Sequence, residues 1–337
     1  MEELVTVALD AMGGDYAPVE TVKGGVDAVN ASKEIKVLMV GDEEKIRKEL
    51  AKYTYDQERI EVVAATEVID NNEPPVQAIR NKKDSSLVRC QRLVKQGEED
   101  AMVSAGSTGA VLAGGQLIVG RIKGVHRPPL APLIPTEKGF SMLIDCGANV
   151  DARAAHLLQF AKIGTLYMRH IMGIENPKVA IVNIGTEEEK GNQLVKEAYP
   201  LLRECSSINF IGSIEARNIP AGEADVIVCE AFVGNVILKL YEGVAMTLVH
   251  KLKASLNASF RGKVGGLLVK PAVKTMMKEF DATEYGGAPL LGLKGLVVKS
   301  HGSSNAYEIQ NSILQCISFK KQNINVRIEE ALNQSDQ

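Results

Sequence analysis

Six short apolar runs in this chain each end in a cluster that joins glycine to Asn, Ser, Thr or an acid. The clusters are Asp10-Ala-Met-Gly-Gly-Asp15, Ser104-Ala-Gly-Ser-Thr-Gly109, Asp145-Cys-Gly-Ala-Asn149, Asn183-Ile-Gly-Thr-Glu187, Phe232-Val-Gly-Asn235 and Ser300-His-Gly-Ser-Ser304. In an open parallel sheet the loops that leave the carboxyl ends of the strands gather along one edge, where ligands bind. Six such loops would line a cleft with backbone N–H groups and small polar side chains. Surfaces of that kind bind anions, and phosphate above all.

The rest of the chain supports an α/β reading. Candidate strands lie at 4–9, 36–40, 60–64, 101–104, 141–144, 179–183, 208–211, 226–229 and 296–299, most of them rich in Val and Ile and apolar without strict alternation. That pattern suits strands covered on both faces, as in a parallel sheet. Helical stretches fall between them at 18–30, 43–52, 75–96, 108–119, 152–172, 191–204 and 304–319. Alternation of this sort predicts a three-layer α/β/α architecture with a largely parallel sheet. No low-complexity tract or linker cuts the 337 residues, so the expectation is one domain over 1–337.

One segment departs from the alternation. Ile237, Leu240, Val244, Leu248, Leu252, Leu256 and Phe260 recur at helical spacing, and Val273, Met276, Met277 and Phe280 form a second stripe after Pro271. Proline is well suited to open a helix. The spacing predicts a projecting helical hairpin, an arm over 244–283, with a glycine-rich tip at 261–270. Seven Lys or Arg and no acid lie between Gly243 and Lys278. The stripes suit packing in the core or in a dimer interface. At the tip, Val264, Leu267 and Leu268 flanked by lysines suit contact with an anionic lipid surface, and the same positive field would attract a small acidic protein.

Composition narrows the function. A net charge of −3 and a pI near 6.1 argue against a nucleic-acid partner. The five cysteines include no C-x-x-C pair, which suits a reducing cytosol. The chain starts directly into a strand with no basic region and apolar core ahead of it, so no export signal is expected. No continuous apolar run of 18 residues is visible, so no membrane span is expected either. The dinucleotide fingerprint, the P-loop, the nucleophile elbow and the zinc-protease motif are all absent. No two His or Cys residues have zinc-ligand spacing. Asp10, Asp15 and Asp145 suit loop capping better than metal binding. No metal and no cofactor are expected. Cys146 and Cys229 sit at strand ends next to acids, which suits buried, inert thiols. His301 differs from the other histidines. It ends a strand and precedes Ser303 and Ser304, good N-caps for the last helix, where an imidazole can donate to an anion held by helix amides.

At these loops the sequence resembles the bacterial phosphate acyltransferase family, which converts acyl-(acyl carrier protein) and phosphate into acyl phosphate for phospholipid synthesis. The resemblance runs nearly end to end. Beyond the six clusters it rests on Lys83-Asp-Ser-Ser86, Lys190-Gly191, Phe210-Ile-Gly with Glu215-Ala-Arg217, and Tyr285-Gly-Gly-Ala-Pro289. Ser107 and Ser213 stand where the family pattern has asparagine, and Glu230-Ala231 stands where it has Asp-Gly. The resemblance implies a fold similar to isopropylmalate dehydrogenase and phosphotransacetylase and a homodimer. It also implies a cytoplasmic protein attached peripherally to the inner face of the cell membrane, with a downstream glycerol-phosphate acyltransferase among its partners.

The chemistry such a reaction needs fits these residues. Phosphate is already anionic at neutral pH, and a leaving thiol with pKa near 8.5 departs with little acid assistance. The site should therefore rely on positioning and preorganised donors. Lys190 with the amides around 107–109 is expected to hold phosphate. Asn235 is expected to donate to the carbonyl oxygen, and His301 to orient phosphate or the departing sulfur. Asp10, Gly13, Gly14, Ser104, Ser107, Thr108, Gly109, Asn149, Gly185, Thr186, Ser303 and Ser304 would shape or line the substrate site. Three rivals remain open: a coenzyme-A-dependent phosphotransacetylase, an NAD-dependent dehydrogenase on a related fold, and a non-catalytic scaffold that recruits lipid-synthesis proteins to the membrane.

Overall fold

The Val- and Ile-rich runs do form strands, covered on both faces in the middle of the sheets and partly exposed at the edges, but they are divided between two sheets. A computed structural model describes residues 4–279 and 282–333. The chain runs β1 (Val5–Asp10), α1 (Val19–Ala31), β2 (Ile35–Gly41), α2 (Glu43–Leu50), β3 (Ile60–Ala64), α3 (Pro75–Asn81), α4 (Ser86–Gln96), β4 (Ala101–Ser104) and α5 (Thr108–Gly114). It continues through β5 (Leu133–Thr136), β6 (Gly139–Ile144), α6 (Ala154–His170), β7 (Lys178–Asn183), α7 (Gln193–Glu204), β8 (Asn209–Glu215) and β9 (Val226–Val228). The last part is α8 (Ala231–Asn257), α9 (Phe260–Glu279), β10 (Ala288–Pro289), β11 (Leu296–Lys299), α10 (Ala306–Lys321) and α11 (Ile324–Asn333).

The first sheet has the order β10-β11-β4-β1-β2-β3 and the second β5-β6-β9-β7-β8. Neighbours are parallel except at β10 and β5, which pair antiparallel at the edges. Both carry a proline, Pro289 and Pro135, and an edge is where a residue without an N–H is tolerated. Those prolines hid both strands from a reading based on apolar runs. The largest buried cluster draws on both sheets, with Val7, Leu9 and Val37 from one and Met142, Ile181 and Val226 from the other.

Several expected helices are altered by local chemistry. The stretch at 75–96 is two helices, because Ser85 accepts from the Val88 amide (3.3 Å) and starts α4 afresh. The stretch at 108–119 is α-helical only to Gly114 and continues as a π-helix over Gly115–Val119. The last long helix is capped by Asn305, whose side chain accepts from the Glu308 amide at 3.1 Å, and not by Ser303 or Ser304.

The arm exists, with different punctuation. The Phe232-Val-Gly-Asn235 cluster is not a loop but the first turn of α8. Glu230 is the N-cap, and its carboxylate accepts from the Phe232 and Val233 amides at 2.6 and 3.0 Å. Ala231 therefore needs only helical φ, which explains why alanine serves here. The turn between α8 and α9 is Ala258-Ser259, so the expected tip at 261–270 is helix. Pro271 lies inside α9 and does not open it. Leu240, Leu248, Phe260, Leu267 and Leu268 stand well exposed, with Leu268 at 78% and Phe260 at 82%. The side chain of Met277, and Phe280 altogether, lie outside the described residues.

One helix bears on the expectation that nothing spans a membrane, although it holds no unbroken apolar run of 18 residues. The 27 residues of α8 include an 18-residue window of mean hydropathy 1.4, so by length and composition this helix could cross a bilayer. Its polar residues are scattered, so no unbroken apolar run marks it in the sequence. Its first turns are nevertheless rooted in protein: Ala231 and Gly234 are buried, and Val233, Ile237 and Leu238 pack on the second sheet's core.

Candidate active site

The carboxyl ends of β1, β4 and β11 are adjacent, and their three loops lock together. Ser104 Oγ donates to Asp10 Oδ2 at 2.7 Å and accepts from the Gly106 amide at 3.0 Å. The Asp15 amide donates to the Gly302 carbonyl at 2.8 Å. A Cβ on Gly13 would come within 2.8 Å of the Gly106 nitrogen, so close approach demands glycine there. Burial pushes the Asp10 carboxyl above its ordinary range, with the Ser86 and Ser104 hydroxyls pulling the other way. Asp10 thus holds loops together.

The second sheet builds an equivalent edge. Asp145 Oδ1 accepts from the Leu130, Gly147 and Ala148 amides at 3.0 to 3.2 Å, and its Oδ2 accepts from Asn149 Nδ2 at 2.7 Å. Burial still raises this carboxyl above the usual range, against those bonds. The Asn149 carbonyl accepts from the Ala231 amide at 3.2 Å and so ties this loop to the start of α8. Cys146 and Cys229 are buried thiols that burial pushes well above the ordinary cysteine value, which leaves them poor nucleophiles.

Between the two edges lies a cavity of about 290 Å³. Thr108, His301 and Ser304 reach it from the first sheet and Asn235 from α8 above the second. Leu130, Pro132, Leu133 and Leu238 give it an apolar wall, and Tyr285 with Gly286 and Gly287 closes another side. Lys239, Glu242 and Glu308 also face it. His301 Nδ1 accepts from the Ser303 amide at 3.3 Å and lies 2.8 Å from the Ser303 hydroxyl. An amide can only donate, so the neutral ring carries its proton on Nε2 and presents that N–H as a donor.

The expected residues divide. Asn235, His301, Thr108 and Ser304 share the cavity. Asp10, Gly13, Gly14, Ser104, Ser107 and Gly109 build the loops beside it, and Asn149 is a buried strut. Lys190, Gly185 and Thr186 do not line it. Lys190 is about half exposed and pairs with Glu187 at 2.8 Å, which holds its ammonium above the ordinary lysine value. Its carbonyl accepts from Asn183 Nδ2 at 3.1 Å, so the loop is folded on the second sheet's edge with the lysine turned to its own glutamate.

Sequence reasoning passed over Lys299. It lines the cavity and is 7% exposed, the only lysine so buried among the described residues. Its Nζ donates to the Ala105 carbonyl at 3.4 Å and to the Ser300 carbonyl. Burial lowers its pKa to about 8, against the opposing pull of Asp10 and Asp15. The available signal was a lysine closing an otherwise apolar strand, Leu296–Lys299.

Two sheets with a glycine-lined cavity between their carboxyl edges define an α/β protein of the phosphotransacetylase fold. Solved structures agree on that fold: a phosphotransacetylase from Streptococcus pyogenes superposes with TM-score 0.61 at 19% identity, covering 94% of each chain. A branched-chain phosphotransacylase from Enterococcus faecalis V583 gives 0.56 at 13% identity, covering 94% of this chain and 98% of that one. The family described as "Fatty acid synthesis protein" matches residues 5–327, and the chain belongs to it. Relatives named phosphate acyltransferase include one from Clostridium tetani, 51% identical over 326 residues and 97% of both chains. Another, from Clostridium acetobutylicum, is 48% identical over 328 residues, covering 97% of this chain and 99% of its own.

Proposed function

We propose that this chain, an enzyme that transfers an acyl group to inorganic phosphate, draws that group from the thioester of acyl carrier protein. Acyl transfer to phosphate follows from the family and from relatives about half identical over nearly the whole chain. The single observation that carries the site is the cavity that unites polar donors from both sheets with an apolar wall. A phosphate oxygen attacks the thioester carbonyl carbon, the carbonyl oxygen becomes an oxyanion, and the C–S bond then breaks to give acyl phosphate and a thiolate. Asn235 donates to the oxyanion, Thr108 and Ser304 position phosphate, and the Nε2–H of His301 faces the departing sulfur. The apolar wall suits the first carbons of a fatty chain. The stretch of the arm from Gly243 to Lys278, with seven cations and no acid, suits an acidic protein carrier better than coenzyme A.

The chain works in this reading as one domain, as a cytoplasmic homodimer. The exposed apolar face of the arm serves the dimer contact and peripheral adsorption to an anionic membrane, beside a glycerol-phosphate acyltransferase that takes the product. Purified protein mixed with long-chain acyl carrier protein and phosphate, then trapped with hydroxylamine, should give hydroxamate far above a phosphate-free control. Hydroxamate formed only with acyl-coenzyme A would reject the carrier-protein donor.

A further inference from the structure

The buried lysine on the cavity wall needs an explanation that its protein contacts do not give. An ammonium has three N–H donors, and two of those on Lys299 are taken by the carbonyls of Ala105 and Ser300. Asp10 and Asp15 act on it only through space, and no carboxylate lies within ion-pairing distance among the described residues. A buried charge without a partner is costly, and a well-packed apolar residue is often the more stable choice. Ala105 directly precedes the loop that brings Thr108 to the cavity, and Ser300 directly precedes His301. The ammonium is therefore pinned where the two phosphate-facing loops leave adjacent strands, with one N–H unassigned.

We propose that Lys299 is the residue that binds phosphate in the reaction, supplying from the cavity wall the fixed positive charge that sequence reasoning gave to Lys190. Two carbonyls hold the ammonium in place, so little side-chain freedom is lost when the anion arrives. The inference deepens the acyl-transfer reading but needs no acyl donor for its test.

Charged or titratable groups around Lys299 are Asp10 and Asp15 on the first loop, which act on it through space, and on the cavity lining His301 and Glu308 around α10, Lys239 and Glu242 on α8, and Cys146 beyond β6. The experiment is calorimetric titration of the full-length protein with inorganic phosphate from pH 7.5 to 9.5, on wild type and Lys299→Met. Wild-type affinity should fall as pH rises through about 8, where the ammonium loses its proton. Lys299→Met, of similar length and without the buried charge, should melt no lower than wild type. It should bind phosphate about 30-fold or more weakly at pH 7.5, as when one partner of a buried charged contact is removed. Its residual affinity should stay flat across the range, which separates Lys299 from the other facing groups. Phosphate binding by Lys299→Met within twofold of wild type would overturn the proposal. So would a wild-type affinity that does not change with pH, even were the variant to fold poorly. Because no carrier enters the titration, a wrong acyl donor would show only in the hydroxamate assay.

Discussion

At the scale of single residues, chemistry and burial separate groups that look alike in sequence. Asn235 and Lys190 were equally plausible donors, yet Asn235 lines the cavity and Lys190 pairs with Glu187 outside it. Asn235→Ala should lower kcat by about 100-fold or more, the usual cost of losing one oxyanion donor. Lys190→Ala should cost less than about tenfold, a contrast read in the hydroxamate assay. Far from the cavity, burial pushes Glu99 up to about 7, and its Oε2 has no hydrogen-bond partner. A carboxyl whose folded pKa is raised binds its proton more tightly when folded, so stability falls as pH climbs from about 4.5 to about 7. Glu99→Gln should therefore raise the melting temperature at pH 8 and change it little at pH 4. An equal shift at both pH values would refute the ionisation argument. Neither Lys299 nor Glu99 could be singled out from sequence, because burial of a charged side chain depends on which strands end beside it.

At the scale of elements, the strands were the most legible part and the arm the least. All nine strands expected from apolar runs are present, since continuous Val- and Ile-rich segments have few other ways to bury both faces. The punctuation of α8 and α9 is hidden in the sequence because glycine and proline argue locally against helix, whereas the hairpin tolerates Gly262, Gly265, Gly266 and Pro271 within α9. In sequence Gly234 reads as a loop glycine, but the structure gives it a different task. A Cβ there would lie 1.9 Å from the Asp145 carbonyl oxygen, so glycine lets α8 seat against that strand end. Gly234→Ala should destabilise the protein by about 1–3 kcal/mol, as overpacking does, and disturb the Asn235 position. Thermal melting and the hydroxamate assay would read both effects. On the arm, Leu267 and Leu268 are 72% and 78% exposed, so replacing both by Glu should leave folding intact. The double variant should lose binding to anionic vesicles, and unchanged co-sedimentation would reject the membrane contact.

At the scale of the whole molecule, the two sheets meet carboxyl edge to carboxyl edge and make one site from loops that are distant in the chain. Thr108 and His301 follow neighbouring strands of one sheet, β4 and β11, and Asn235 lines the same cavity from the start of α8, which packs on the other. The sequence by itself determined the α/β class, the positions of the parallel strands and the glycine-rich loops that follow them. Those depend on local signals: apolar runs, turn residues and caps. Only the tertiary structure decided that the strands form two sheets, that Lys190 stays outside while Lys299 comes in, and that the arm is helical through its glycines. Strand pairing, and the burial of a charge beside loops from distant strands, depend on neighbours that no local stretch of sequence specifies.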